Sequence, residues 1–421
     1  MKRSTEYTVR VKKMLKILGP GLITGASDDD PSGIATYSQA GSSFGYSTLW
    51  TALLTFPLMA AIQGMCARIG IVTCQGLTVT LKNHYPKGIL FLMILFSIPA
   101  IILNIGADIQ GMGAVAHMMI PSVPTSVFSV VITVILMYVI IKYPYRQLAS
   151  ILKWLCISLL LYVLVPFFVK EDWGAIFRNT FIPTIQFNKE FFSILVAILG
   201  TTISPYLFFW QATMEAEDIA HRSRKMIVNK QVMENMKLDV NFGMLFSNLV
   251  MFFIILTTGT VLFKAGIHQI DTVDQAAKAL EPIAGKLTYL IFAIGVMGTG
   301  LLAIPVLAGS QSYMLAETFG WEEGLDKKFS QAKGFYITII ISLIVGVSLD
   351  FVGISPIQAL LYTAILYGIT SPVLIAIILH IGNNKKVMGE FTNSKLSNTL
   401  GVLTFILMTA SAVALIYFQF T

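Results

Sequence analysis

Eleven apolar runs of about 18 residues or more divide the chain, and each is long enough to cross a hydrocarbon core of about 30 Å as a helix rising about 1.5 Å per residue. They lie near 15–45, 47–70, 89–118, 124–142, 148–169, 191–217, 240–264, 286–316, 335–352, 356–381 and 398–419. The connections between them are short, so the expectation is an all-α integral membrane protein with eleven transmembrane helices and a single membrane domain over 1–421. With 55% hydrophobic and only 12% charged residues, the chain lacks the polar surface that a soluble fold requires. Gly and Pro occur inside the runs, where neighbouring membrane helices tolerate them.

Orientation follows from Lys and Arg. Lys2, Arg3, Arg10, Lys12, Lys13 and Lys16 precede the first span; Arg68, Lys82 and Lys87 follow the second; Lys142, Arg146 and Lys153 follow the fourth. Arg222, Arg224, Lys225, Lys230 and Lys237 follow the sixth, Lys327, Lys328 and Lys333 the eighth, and Lys385, Lys386 and Lys395 the tenth. Every even connection is thus basic, which predicts a multi-pass cell-membrane protein with its N-terminus in the cytoplasm and its C-terminus outside. The net charge of +7 is spread over these loops, where anionic lipid is the natural partner and nucleic acid is not needed to explain it. The first span reads as uncleaved, because acids interrupt it and further spans follow directly. Cys66, Cys74 and Cys156 have neither metal-ligand spacing nor a paired framework and read as small buried residues.

Two spans are interrupted in their middles. The first contains Ser27-Asp28-Asp29-Asp30-Pro31-Ser32-Gly33, which places three carboxylates about 21 Å along a regular helix from Lys16, at mid-bilayer depth. A carboxylate there costs several kcal/mol unless it meets a partner, water or an ion, so it marks a functional site. The sixth contains Gly200-Thr201-Thr202-Ile203-Ser204-Pro205-Tyr206 between apolar flanks. Paired interruptions five spans apart predict an inverted repeat, about 15–169 and about 191–381 with 398–419 outside it, and a transport site at the midplane between the broken helices. A plainer reading stands beside this: Asp30-Pro31 is also an N-cap followed by Pro at the first helical position, and Ser204-Pro205 is also an ordinary kink. Capping and ligation are compatible for Asp30.

The donors offered are all oxygen: the Asp30 carboxylate, the hydroxyls of Ser32, Thr201 and Ser204, and backbone carbonyls freed at the breaks, including that near Gly33. With no Met, Cys or His in either break, the site is hard and suits Mg²⁺, Ca²⁺ or Mn²⁺ as transported ion, with no cofactor implied. Asp28, Asp29, Asp108 and Tyr206 are candidates for a vestibule or proton path. Gln110, Asp239, Asn248, Thr363 and Thr370 fit either a vestibule or hydrogen bonds between helices. His117 and His380, near helix ends, read as interfacial, and the 19 methionines as packing.

At the two breaks the sequence resembles the Nramp family of divalent metal transporters, whose first helix carries Asp-Pro-Gly-Asn and whose sixth carries Met-Pro-His. The resemblance extends through Gly19-Pro20, Phe44-Gly45-Tyr46, Leu49-Trp50, Asp108, Asp239 and Asn248. It implies a LeuT-type 5+5 fold with discontinuous helices 1 and 6. Asp30-Pro31 is kept, but the family's Asn, Met and His positions hold Gly33, Ser204 and Tyr206. Loss of the soft sulfur removes discrimination against Mg²⁺, and the pattern is most similar to the Nramp-related magnesium transporters. The acidic residue expected one turn after Asp108 is Gly111, so neither it nor Tyr206 takes up a proton near neutral pH. The expectation is Mg²⁺ and Mn²⁺ uptake by alternating access without proton coupling, with about 4.6 kcal/mol per 100 mV available to a dication. The competing readings are a proton-coupled Mn²⁺ transporter and a Na⁺-coupled small-molecule carrier of the same fold. An enzyme is disfavoured, since no second acidic motif or Arg lies at that depth. Sequence leaves the oligomeric state open.

Overall fold

The computed structural model describes residues 19–152, 155–169, 172–221, 228–351 and 353–420. The basic residues Lys2 to Lys16, Lys153, Arg222, Arg224 and Lys225 lie outside that set. In chain order the membrane helices are α1 (Pro20–Asp28), α2 (Pro31–Phe44), α3 (Trp50–Thr73), α4 (Lys87–Met119), α5 (Thr125–Lys142), α6 (Leu161–Phe168), α7 (Lys189–Thr202), α8 (Pro205–His221), α9 (Lys230–Thr258), α10 (Thr288–Phe319), α11 (Lys333–Ser348), α12 (Pro356–Asn383) and α13 (Lys395–Phe420). Nine spans among the described residues are long apolar helices, with α7 and α8 counted as one. The first span, split into α1 and α2, and the fifth complete the expected eleven. The fifth reaches α6 through a helix at Tyr145–Leu152 and a 3₁₀ stretch at Leu155–Leu160.

Both breaks have the same local cause. Pro31 and Pro205 have no N–H to donate and fit the first position of a helix, so each ends one half and begins the next. Elsewhere Pro57, Pro99, Pro305 and Pro372 sit inside continuous helices, held by surrounding spans. In an 18-residue apolar stretch of each span, 94% of the residues are buried in α7–α8 against 28% in α5 and 33% in α13, which puts the sixth span at the centre and the other two at the lipid-facing edge.

α1 packs along α9, α7 along α12, α8 against α3, and α4 against α10. The α1–α9 contact is backbone on backbone: a Cβ at Gly25 would stand 2.2 Å from the Gly243 carbonyl oxygen, so only glycine permits this approach. α2 ends at Gly45, whose φ of +57° is a left-handed turn that glycine adopts without strain.

Two expectations change. α9 begins ten residues before the predicted 240, because its first turns are charged and carried no apolar signal. Cys66 is buried as expected, but Cys74 is exposed at the left-handed end of α3; the Cys156 side chain lies outside the described set.

Candidate metal site

The α1–α2 break starts from Asp30, the N-cap of α2. Its Oδ1 accepts from the Gly33 N–H at 2.7 Å, leaving Oδ2 to face α4. There the Asn104 amide donates to Asp30 Oδ2 at 3.0 Å, and the same nitrogen lies 3.5 Å from Asp108 Oδ2. One amide therefore draws two carboxylates together. Asn104 and Asp108 are four residues apart and share one face of α4. The second oxygen of Asp108 and the amide oxygen of Asn104 have no partner among the described residues although both are buried. An unmet oxygen in such a place costs about 1–3 kcal/mol unless something binds it.

Asp28 and Asp29 point elsewhere. The Ser247 hydroxyl on α9 donates to Asp28 Oδ2 at 2.7 Å and lies 3.2 Å from Asp29 Oδ1, and one further oxygen of each acid is unpartnered. The three consecutive acids thus diverge, and no group of three His, Cys, Asp or Glu side chains converges on one point among the described residues. The candidate site is two carboxylates and an amide. No ion pair reaches Asp28, Asp29, Asp30 or Asp108 among the described residues, and no Lys, Arg or His occurs in 17–67, 88–116 or 191–220.

The second break meets the first. The Tyr206 hydroxyl donates to the Ser27 carbonyl at 3.0 Å, and the Tyr37 and Thr202 hydroxyls lie 3.2 Å apart. The carbonyls expected to be free are partly engaged: Ser27 by Tyr206, and Ile203 by the Ser371 hydroxyl of α12 at 3.1 Å. Ser204 turns its hydroxyl back onto the Thr201 and Gly200 carbonyls. Ser32 donates to the Leu360 carbonyl of α12 at 2.8 Å. Ser32 and Ser204 therefore brace the breaks with their hydroxyl protons, while Asp30 keeps company with Asp108. Thr201 and Gly33 are buried beside them, and a Cβ at Gly33 would stand 3.3 Å from the Asp28 carbonyl oxygen.

Asp28, Asp29, Asp108 and Tyr206, expected at a vestibule or on a proton path, are all fully buried in this conformation because the helices close over them. Gln110, Asn248, Thr363 and Thr370 are occupied by bonds to Ile354, Thr55 and Met244, Leu360, and Leu366, so they are interhelical or local ties. Asp239 accepts the N–H groups of Gly19, Gly21 and Leu22 at 2.8, 2.7 and 3.2 Å, capping α1 from another helix. His117 and His380 are bonded near helix ends, to the Val123 carbonyl and the Tyr85 hydroxyl.

A cavity of about 210 Å³ opens at the end where α1 begins, and its lining includes Pro20, Ile23, Trp210, Glu217 and Asp218. At the opposite end Ser42 and Ser43 donate to the Ile267 and His268 carbonyls, and Gln39 accepts from the Ile270 N–H, clasping α2 to the α9–α10 connection. In the loop after α10, burial pushes Glu323 up to about 8, with Glu317 and Glu217 adding repulsion.

Sequence reading missed Asn104 and Ser247. The only signal for Asn104 was an amide one turn before an intramembrane acid on an apolar helix.

Two broken helices meeting at mid-bundle define the LeuT-type transporter fold. Solved structures share it: a manganese transporter from Eremococcus coleocola, in complex with an aromatic bis-isothiourea substituted compound, aligns with TM-score 0.76 at 16% identity over 96% of this chain and 86% of that one. Mhp1, a nucleobase-cation-symport-1 family transporter, aligns with TM-score 0.62 at 13% identity over 95% and 91%. The family described as Natural resistance-associated macrophage protein-like, Nramp, matches residues 21–418, and this chain belongs to it. Relatives include the divalent metal cation transporter MntH of Caldanaerobacter subterraneus subsp. tengcongensis, 26% identical over 94% of this chain and 91% of the relative. The MntH of Bacillus subtilis is 22% identical over 96% and 92%.

Proposed function

We propose that this protein carries divalent cations, Mg²⁺ and Mn²⁺, into the cytoplasm by alternating access and without proton coupling, with the ion held between Asp30, Asn104 and Asp108. The observation that carries the reading is the buried pair Asp30 and Asp108, drawn to one amide at the first break with no cationic side chain beside them among the described residues. Charge of that kind in a membrane interior asks for an ion. Two carboxylates and an amide oxygen make a sparse, hard site, and Mg²⁺ needs no more because it keeps several waters. The relatives' names, divalent metal cation transporter and manganese transporter, support the ion class.

The whole chain acts as one transport domain, with halves of about 15–169 and about 191–381 and α13 outside them. The basic even connections put the start of α1 in the cytoplasm, so the acid-lined cavity under Ile23 and Trp210 is the inward path. Tyr206 serves as a tie between the breaks, holding Ser27, and not as a proton carrier.

A proton-coupled Mn²⁺ transporter is the second reading: the manganese in the solved transporter's name favours the ion, and the unpartnered oxygens of Asp28 and Asp29 offer proton sites. Uptake of Mg²⁺ and Mn²⁺ into proteoliposomes at imposed voltage, with a pH reporter inside, separates the two. Saturable uptake of both ions without acidification, lost in Asp30→Ala, is expected. Uptake of Mn²⁺ alone with acidification establishes the second reading, and no uptake of either ion overturns both.

A further inference from the structure

A groove outside the transport path runs along the bundle between α3, α9 and α13. Its deeper part, about 310 Å³, is lined by Phe56, Ala60, Gly64, Met236 and Leu400 among others, and ends on Arg68 and Lys237. A second cavity of about 550 Å³ continues from Arg68 and Lys237 past Lys230, Glu234 and Glu390. Arg68 lies five residues before the end of α3 and Lys237 seven after the start of α9, so both stand about 7–11 Å inside their helix ends, at one level near the headgroup boundary.

Arg68 is the unusual member. It is only 7% exposed, its Nη2 donates to Asn393 Oδ1 at 2.6 Å and lies 3.4 Å from Ser397 Oγ, and its Nε has no partner. No carboxylate pairs with it among the described residues. A buried guanidinium held by neutral oxygens alone leaves its charge uncompensated. Among the described residues, the cavity along α3 is lined by two cations and no acid, and the two cavities together by three cations and two acids, a surplus of one positive charge. Above Arg68 the wall is small and apolar: a Cβ at Gly64 would meet nothing within 4 Å. That open strip of Ala60, Ala61 and Gly64 has room for an acyl chain.

We propose that this groove binds one anionic phospholipid, its phosphate between Arg68 and Lys237 and one acyl chain along the Ala60–Gly64 strip of α3. The basic end is the cytoplasmic one by the distribution of Lys and Arg, so the lipid comes from the inner leaflet. The site bears on transport through α9, where Lys237 lies two residues from the Asp239 that caps α1.

The test is the thermal transition of the full-length protein in detergent with added dioleoyl phosphatidylglycerol, phosphatidylethanolamine, phosphatidylcholine or inorganic phosphate. Lipid that binds only the folded protein raises the transition in proportion to the logarithm of its concentration. Phosphatidylglycerol is expected to raise it by several degrees and the other three by much less. Gly64→Leu, which fills the acyl strip and leaves every charge, and Lys237→Gln, which removes one phosphate contact, are each expected to weaken apparent phosphatidylglycerol affinity about tenfold with the lipid-free transition unchanged. An equal response in wild type and both variants, an equal response to phosphatidylcholine, or a larger one to phosphatidylethanolamine, whose ammonium suits Glu234 and Glu390, overturns the proposal.

Discussion

The two broken spans have the same backbone and opposite chemistry. Each stops before a proline, and each prolongs the following helix from that proline. At the first break the residues are acids whose oxygens outnumber their donors, and Asn104 draws one of them toward Asp108. At the second, Ser204 satisfies itself on the Thr201 and Gly200 carbonyls, Thr202 on Ile198, and Ser371 covers Ile203. Geometry alone therefore does not make an ion site. In this reading the first break supplies the charge, and the second supplies shape and a tie through Tyr206.

That contrast fails if the second break proves as indispensable as the first. Asp30→Ala is expected to abolish saturable Mg²⁺ uptake, a loss of about 100-fold or more, since it removes half of the carboxylate charge at the ion. Ser204→Ala is expected to stay within about threefold of wild type, because its hydroxyl is already spent on the Gly200 and Thr201 carbonyls of α7. Comparable losses in the two variants, in the same flux assay, would show that Ser204 is a ligand. Ser204→Met sharpens the comparison from the other side: a thioether at the second break favours the softer ion, so the preference for Mn²⁺ over Mg²⁺ is expected to rise about tenfold in competition uptake.

Smaller effects follow at the tie and outside the membrane. Tyr206→Phe deletes one buried hydrogen bond and is expected to cost about 1 kcal/mol, read as a lower thermal transition with ion preference unchanged. Glu323 has its pKa raised to about 8, so its neutral form is favoured in the folded protein. Its stabilising contribution is full below the ordinary carboxylate value and is lost as pH rises through about 8. Glu323→Gln is expected to flatten the fall in thermal transition between pH 5 and about 8; an unchanged slope contradicts the assignment.

Much of this was legible in the sequence because bilayers impose it. Span number follows from apolar length, and both breaks follow from Pro preceded by polar residues where the bilayer has no water. Other features were hidden for physical reasons. The first turns of α9 are charged and stand outside any apolar window. The fifth span is pieced together from short helices that no single periodicity describes. Asp239 shows its role only when α9 meets α1, some 220 residues away in sequence. Asn104 is a lone amide in an apolar helix, and nothing distinguishes it from interhelical glue until α4 stands beside Asp30. The divergence of Asp28 and Asp29 from Asp30 likewise required the backbone of the break, because three consecutive acids read as one cluster in a string of letters.

The most direct measurement is Mg²⁺ binding to the purified protein by isothermal titration calorimetry, with Mn²⁺ as competitor and Asp30→Ala alongside. One saturable Mg²⁺ site, displaced by Mn²⁺ and absent from the folded Asp30→Ala protein, is the expected result. Mg²⁺ binding that survives Asp30→Ala would contradict an ion site at the first break, and a wild-type protein that binds Mn²⁺ but not Mg²⁺ would contradict the Mg²⁺ reading.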